Sequence, residues 1–192
     1  MSTDGRLARG EQRKILILDA AIAVVAESGS GSLTHRAAAT RADVSVASVT
    51  YHFPSIDDLR LAMFDHAGSR IGMTFRTAVE GLGGRIEGVP ELCAIYASEL
   101  VTSQRIDTVA VFEMIVAAFH DEQLRPLARF FNQRLTDLLE PYVGNRKHAF
   151  SAASAVQGII LSALAEGQKE SDTTFQDSII DLIQRYGKPS AS

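Results

Sequence analysis

The stretch THRAAATRADVSVASVTYHF, Thr34 to Phe53, leaves this chain few ways to fold. It reads as two short helices with a four-residue break. Thr34 follows the flexible run Ser28-Gly29-Ser30-Gly31-Ser32 and is placed to cap a helix through its hydroxyl. His35 to Arg41 continue that helix in good helix formers, and Ala38, Ala39 and Ala42 are small enough to admit another helix closely. Asp43 falls where the chain must turn sharply, a place that often needs a left-handed residue, usually Gly, with Asp or Asn tolerated. Val44 then offers a buried anchor and Ser45 a second N-cap.

On a wheel at about 100° per residue, Val46, Val49, His52 and Phe53 gather on one side of the second helix. Ala47 and Tyr51 point the other way, flanked by Ser48 and Thr50. The apolar side suits a core. The opposite side carries a methyl, two hydroxyls and a phenol, groups that suit a DNA major groove: methyl contact to thymine, hydroxyls to base edges or phosphates. The alternative is a short amphipathic helix whose Ser and Thr simply face water.

At these residues the chain resembles the TetR family of bacterial regulators. The family's pattern is an Arg/Lys-flanked apolar helix, a Gly, a Thr opening the second helix, then V-S-x-x-S-x-x-Y-x-F-x-S-x-D-x-L. Here Val44, Ser45, Ser48, Tyr51, Phe53, Ser55, Asp57 and Leu59 fill it, and the likeness spans residues 10 to 65. Two positions depart from it: Asp43 replaces the usual turn Gly, and Ile56 stands where the family often has a phosphate-contacting Lys. The resemblance implies an all-α fold of about nine helices. A three-helix helix-turn-helix domain, 1–54, would precede a helical ligand-binding and dimerisation domain, 55–192. It further implies a ligand-responsive transcriptional regulator, most simply a repressor, acting as a homodimer on a double-stranded DNA operator. On that reading Ala47, Ser48, Thr50 and Tyr51 face bases and nearby phosphates, Thr34, Arg36 and His52 mainly hold the backbone, and the N-cap Ser45 is counted with the DNA-binding set.

Composition bounds the alternatives. With 46% hydrophobic residues over 192 positions the chain can build a sizeable core. A single cysteine, Cys93, excludes an internal disulfide framework and a cysteine-based metal site, and fits a reducing cytoplasm. The formal net charge of -4 argues against a protein that coats nucleic acid nonspecifically. The charge is uneven: six basic against four acidic residues up to Ala42, and 12 against 16 from Leu61 onward. The apolar run ILILDAAIAVVA near the N-terminus contains Asp19, which argues against export, and no apolar run is expected to reach the ~20 residues of a membrane span.

Along the chain, residues 1 to 9 read as a polar arm. A first helix follows from Gly10 to Ser28 with an apolar face of Ile15, Leu18, Ile22, Val25 and Ala26. Arg9, Arg13 and Lys14 near its start either meet phosphates or form a solvated basic end. A long helix from Ile56 to Val79 opens on the N-cap Ser55, with Asp57 and Asp58 in its first turn. Its inner side holds Leu59, Ala62, Met63, His66, Ile71, Phe75 and Val79. Gly81-Leu82-Gly83-Gly84 breaks it; without a preceding strand or a following Gly-Lys-Ser/Thr this is not a phosphate loop. Further helices are expected at Glu91–Ser103 after Pro90, Ile106–His120, Asp121–Tyr142 with a bend at Pro126, Arg146–Gln168 capped by Asn145, and Thr174–Tyr186. The last two, 146–168 and 174–186, are the family's dimerisation helices.

No catalytic set stands out. His35, His52, His66, His120 and His148 include no i, i+3 or i, i+4 pair, so no helical metal pair exists, and no nucleophile elbow is present. The chain is therefore not read as an enzyme and needs no cofactor. Polar groups on otherwise apolar helices (His66, Tyr96, Glu99, Glu113, His120, Asn132 and Gln157) mark a small-molecule effector cavity with Phe64, Met73, Phe112, Phe119 and Phe130 as candidate walls. Ordinary solvent-facing or core positions are the competing account of each. A second reading of the whole keeps the helical remainder as a small-molecule-binding or enzymatic bundle and makes the N-terminal unit a protein-docking module.

Overall fold

The computed structural model describes residues 3–82, 88–167 and 173–187. Within them the chain forms α1 (Thr3–Ser28), α2 (His35–Arg41), α3 (Val46–His52), α4 (Ile56–Gly81), α5 (Val89–Val101), α6 (Arg105–Ala117), α7 (Arg125–Val143), α8 (Arg146–Glu166) and α9 (Thr173–Tyr186). Two 3-10 turns, Ser30–Ser32 and Glu122–Leu124, complete it, and there is no strand among the described residues. α1 packs on α2, α4 and α6; α7 lies along α8, and α5 along α9. One buried apolar cluster runs through all of them from Ile17 to Ile183.

Local chemistry sets the helix starts. Ser55 Oγ accepts the Asp58 N–H at 3.0 Å while Asp58 Oδ2 accepts the Ser55 N–H at 3.0 Å, a reciprocal cap that opens α4. The hydrogen bonds from Ser55 hold the Asp58 carboxyl below its ordinary pKa. Asn145 Oδ1 accepts the His148 N–H at 2.9 Å and starts α8. Pro90 and Pro126 sit in the first turns of α5 and α7, where a missing N–H breaks no helical bond. Pro126 thus begins a helix instead of bending one: the 3-10 turn Glu122–Leu124 carries the change of direction, and α6 stops at Ala117, short of His120.

Several expectations are corrected. The segment expected as an arm is helical from Thr3, because extending an existing helix adds one hydrogen bond per residue. The buried stripe of α1 is Ile17, Leu18, Ala21, Ile22 and Val25, whereas Ile15 is 41% exposed. At the helical pitch Ile15 sits about 90° from the centre of that stripe. α4 buries Leu59, Met63, Phe64, Ala67 and Ile71; the side chains of Phe75 and Val79, and Gly83, Gly84 and Gln168, lie outside the described residues. The expectation about apolar length also fails for α8, whose 21 residues are long and apolar enough to cross a membrane. Here that apolarity serves packing: Ala149, Ala152, Ala153, Val156, Ile160 and Ala163 are buried, and the helix lies against α7 and α9.

Candidate nucleic-acid interface and central cavity

α2 and α3 are each only seven residues long, too short to hold themselves together in water. Caps and packing supply what length does not. Thr34 Oγ1 accepts the Ala37 N–H at 3.0 Å, and Ser45 Oγ accepts the Ser48 N–H at 3.1 Å. Asp43 takes the left-handed conformation at φ 51°, as the turn demands. The Val44 N–H donates to the Ala39 carbonyl at 3.0 Å and closes that turn. Ala38, Ala39, Val49 and Phe53 are buried beneath it. His35 Nε2 donates to the Phe53 carbonyl at 2.8 Å, tying the start of α2 to the end of α3. That bond fixes the tautomer with the proton on Nε2.

The outward side of α3 carries Ala47, Thr50 and Tyr51, with Tyr51 82% exposed. Ser48 is half-buried beside them. The Thr50 hydroxyl donates back to the Val46 and Ala47 carbonyls, both at 3.2 Å, so its methyl and its lone pairs remain for a partner. The His52 and Tyr51 rings meet edge to face, centroids 5.2 Å apart. Val46, placed inward on the helical wheel, is 44% exposed instead: it is the first residue of the helix and lies past the edge of the buried patch. Ser45, Thr34 and Arg36 are exposed along the same surface. Arg41 is held in a two-pronged pair with Glu27 at 2.7 and 3.0 Å.

Behind this unit a cavity of about 390 Å³ opens between α4, α5, α6, α7 and α8, within the size range of small-molecule sites. Of the residues expected there, Tyr96, Phe112 and Gln157 line it. Tyr96 donates its hydroxyl to the Ile71 carbonyl, and burial pushes its pKa up, so the phenol stays neutral. The other four expected residues lie elsewhere, each with its own partner. His66 Nε2 sits 3.1 Å from Asp19 Oδ1. Glu99 accepts from Gln104 Nε2 at 3.3 Å. Glu113 accepts the Ser30 N–H at 2.9 Å. Phe130 is 55% exposed, with the Arg134 guanidinium over its ring. Of the candidate walls, Phe64 belongs to the core, and Met73 and Phe119 face solvent, as does His120. Asn132 Oδ1 is buried with no hydrogen-bond partner among the described residues.

Sequence reasoning missed Arg76, Thr108, Phe131 and Arg134 on the cavity wall, and the Gly68 and Gly72 that make room for them. A signal was present: Gly68 and Gly72 are one turn apart and leave a smooth strip on α4, and Arg134 interrupts the apolar series Phe131, Leu135, Leu138 on α7.

A chain of charges ties α1 to α4 and α6. Arg70 on α4 contacts Asp19 on α1 at 2.6 Å and Asp107 on α6 at 3.1 Å. Asp107 is 6% exposed, and burial raises its pKa against the opposing pull of Arg70. Cys93 is buried, which pushes its thiol up to about 12 and leaves it a packing residue.

Residues 17–63 match the model of the bacterial regulatory proteins, tetR family. An HTH-type transcriptional regulator encoded in the dhlA 5' region of Xanthobacter autotrophicus is 25% identical over 187 residues, covering 87% of this chain and 86% of that protein. Among solved structures, the multidrug binding protein EbrR complexed with imidazole superimposes with a TM-score of 0.75 at 26% identity, covering 94% of this chain and 97% of its own. In its complex with ethidium the same protein gives 0.71, again at 26%, covering 91% and 97%. A TetR-family member from Streptomyces coelicolor A3 gives 0.77 at 26% identity, covering 92% and 99%.

Proposed function

Because the chain belongs to the TetR family of bacterial transcriptional regulators, we propose that it works as a dimeric repressor that a small molecule releases from its operator. The observation that carries this is the outward side of α3: a capped helix, anchored by buried Val49, that offers Ala47, Thr50 and a phenol 82% exposed. These groups have no structural task on that side and match what a major groove presents. Residues 1–54 form the DNA-binding part in this reading and 55–192 the sensing and pairing part.

Pairing falls to α8 and α9. Phe150 and Leu161 on α8 are 59% and 49% exposed, and the small residues Ser154, Gly158 and Ala165 lie at successive turns of the same exposed side. A second copy covering this side would build a four-helix interface. It would set two α3 helices about 34 Å apart, one turn of DNA, on a two-fold-related site in the cytoplasm. The effector would occupy the cavity. α4 supports this role, because Ile71 and Gly72 stand in the cavity wall while its first turn follows α3 directly. A ligand that fits one tilt of α4 better than another shifts the population toward it. Similarity to a multidrug binding protein crystallised with imidazole and ethidium supports a small organic effector.

Fluorescence anisotropy on the DNA upstream of its own gene, against a scrambled duplex, tests the reading. A salt-sensitive preference for the upstream DNA by a species of dimeric mass in sedimentation is the expected result. Equal affinity for both duplexes would overturn it. Deleting the gene should raise transcription from that promoter; a fall would make the protein an activator.

A further inference from the structure

We infer that the cavity selects an organic anion, a carboxylate or similar acid group on an apolar body, and that Arg134 is its anchor. The inference rests on the effector reading above and adds the chemical class. Arg41, Arg60, Arg70, Arg125, Arg146 and Arg185 each hold a carboxylate within 3.2 Å. The half-buried Arg134 does not, and neither does Arg76: among the described residues no carboxylate lies within ion-pair distance of either. Both line the cavity. For the half-buried Arg134 the lack of a counter-ion is costly, and a ligand that supplies the missing charge recovers that cost on binding; Arg76 is exposed and adds only a solvent-screened positive charge.

The guanidinium is held in place. The Phe130 ring sits under it, 5.5 Å from centroid to Cζ. It also rests against α4 where Gly72 has no side chain; a methyl group there would overlap it. Arg76 is one turn further along the same face of α4. Among the described residues the one carboxylate on the wall, Asp137, is already bound to Arg146 at 2.8 Å and is mostly exposed. The charge left facing the space is therefore positive. Most of the rest of the wall is apolar (Ile71, Leu100, Phe112, Phe131, Leu138 and Ile160), interrupted by the neutral polar groups of Tyr96, Thr108 and Gln157. A molecule with one acid end and a hydrocarbon or aromatic body satisfies both halves, and a cationic amine meets two like charges.

Calorimetric titration of the full chain with matched probes tests this: decanoate, decanol and decylamine, then 2-naphthoate, 2-naphthalenemethanol and 2-naphthylmethylamine. In at least one set the acid should bind roughly 10- to 100-fold more tightly than its alcohol, the range of a charge-assisted hydrogen bond, and the amine most weakly. Arg134→Met should bring the acid down to the alcohol's affinity. Gly72→Ala should do the same without changing the charge, by displacing the guanidinium, and covers the case in which Arg134→Met fails to fold. An alcohol or amine that binds as tightly as its acid, a preference that survives in the folded variants, or no binding by either acid would overturn the proposal. Operator anisotropy on the same samples separates it from the reading it rests on. An amine that binds and releases DNA overturns the anion class and keeps the sensing. An acid that binds through Arg134 and leaves the DNA bound keeps the class and overturns the sensing.

Discussion

The α1–α3 unit and the α4–α8 body are built on opposite principles. The unit is small and filled: Ile17, Ala21, Ile22, Ala38 and Val49 are at most 1% exposed, and each short helix is capped at its start. The body surrounds a hollow of about 390 Å³. A filled unit resists deformation, because every shift opens a void or forces a clash. A hollow body has room for more than one arrangement. The part that would touch DNA in the proposed function is therefore suited to move as a rigid piece, and the part behind it to change shape.

Six substitutions would break or sharpen this contrast. The largest effect is expected from Val49→Asp, which puts a charge at a site with no exposure. It should cost about 4 kcal/mol or more and remove DNA binding together with the helical signal of the unit; a melting curve within about 2 °C of the parent would mean the unit is not tightly filled. Next, Ile22→Ala in the unit should cost ~3 kcal/mol, against ~1 kcal/mol for Leu138→Ala on the cavity wall, where part of the space is already empty. Denaturant unfolding reads both, and equal losses would erase the contrast. Tyr51→Ala should weaken operator binding by roughly 10- to 100-fold with an unchanged melting temperature; if it melts like Val49→Asp, the faces of α3 are reversed. Ser45→Ala should lose ~1 kcal/mol of stability with the cap, seen as an earlier denaturant midpoint.

The smallest effect concerns Asp107. Its folded pKa is raised above the ordinary 3.8 by burial, so its contribution is fully present below the ordinary value and is lost as pH rises through the raised one. The wild type should therefore gain stability relative to Asp107→Asn as pH falls from neutral toward 4. A gap that widens in favour of the variant would show that Arg70 outweighs the burial.

The same contrast explains what could be read in the residues alone. Thr34, Ser45, Ser55 and Asn145 start helices through bonds that span three residues, and such short-range chemistry is written consecutively. The turn at Asp43 and the buried side of α3 at Val49 are equally local. The cavity is not. It exists because five helices approach one another, and which of their polar residues face it depends on how each is rotated. His66, Glu99 and Glu113 looked like cavity residues for their polarity on apolar helices, yet their partners are Asp19, Gln104 and the Ser30 N–H. Two of those three contacts join segments distant in the chain. Arg134 was passed over because an arginine on an amphipathic helix is ordinarily at the surface; the room for its guanidinium comes from Gly72, on a different helix.

The hydrogen bond from the Ser30 N–H to Glu113 has a consequence for how such a molecule can diverge. α6 holds Thr108 and Phe112 against the hollow and Glu113 against the turn that leads into α2. Under the proposed function, specificity for an effector could be rewritten at two of those positions while the third keeps the DNA-reading unit in register. Descendants of one ancestor could thus exchange the chemical they respond to and still recognise the same stretch of DNA.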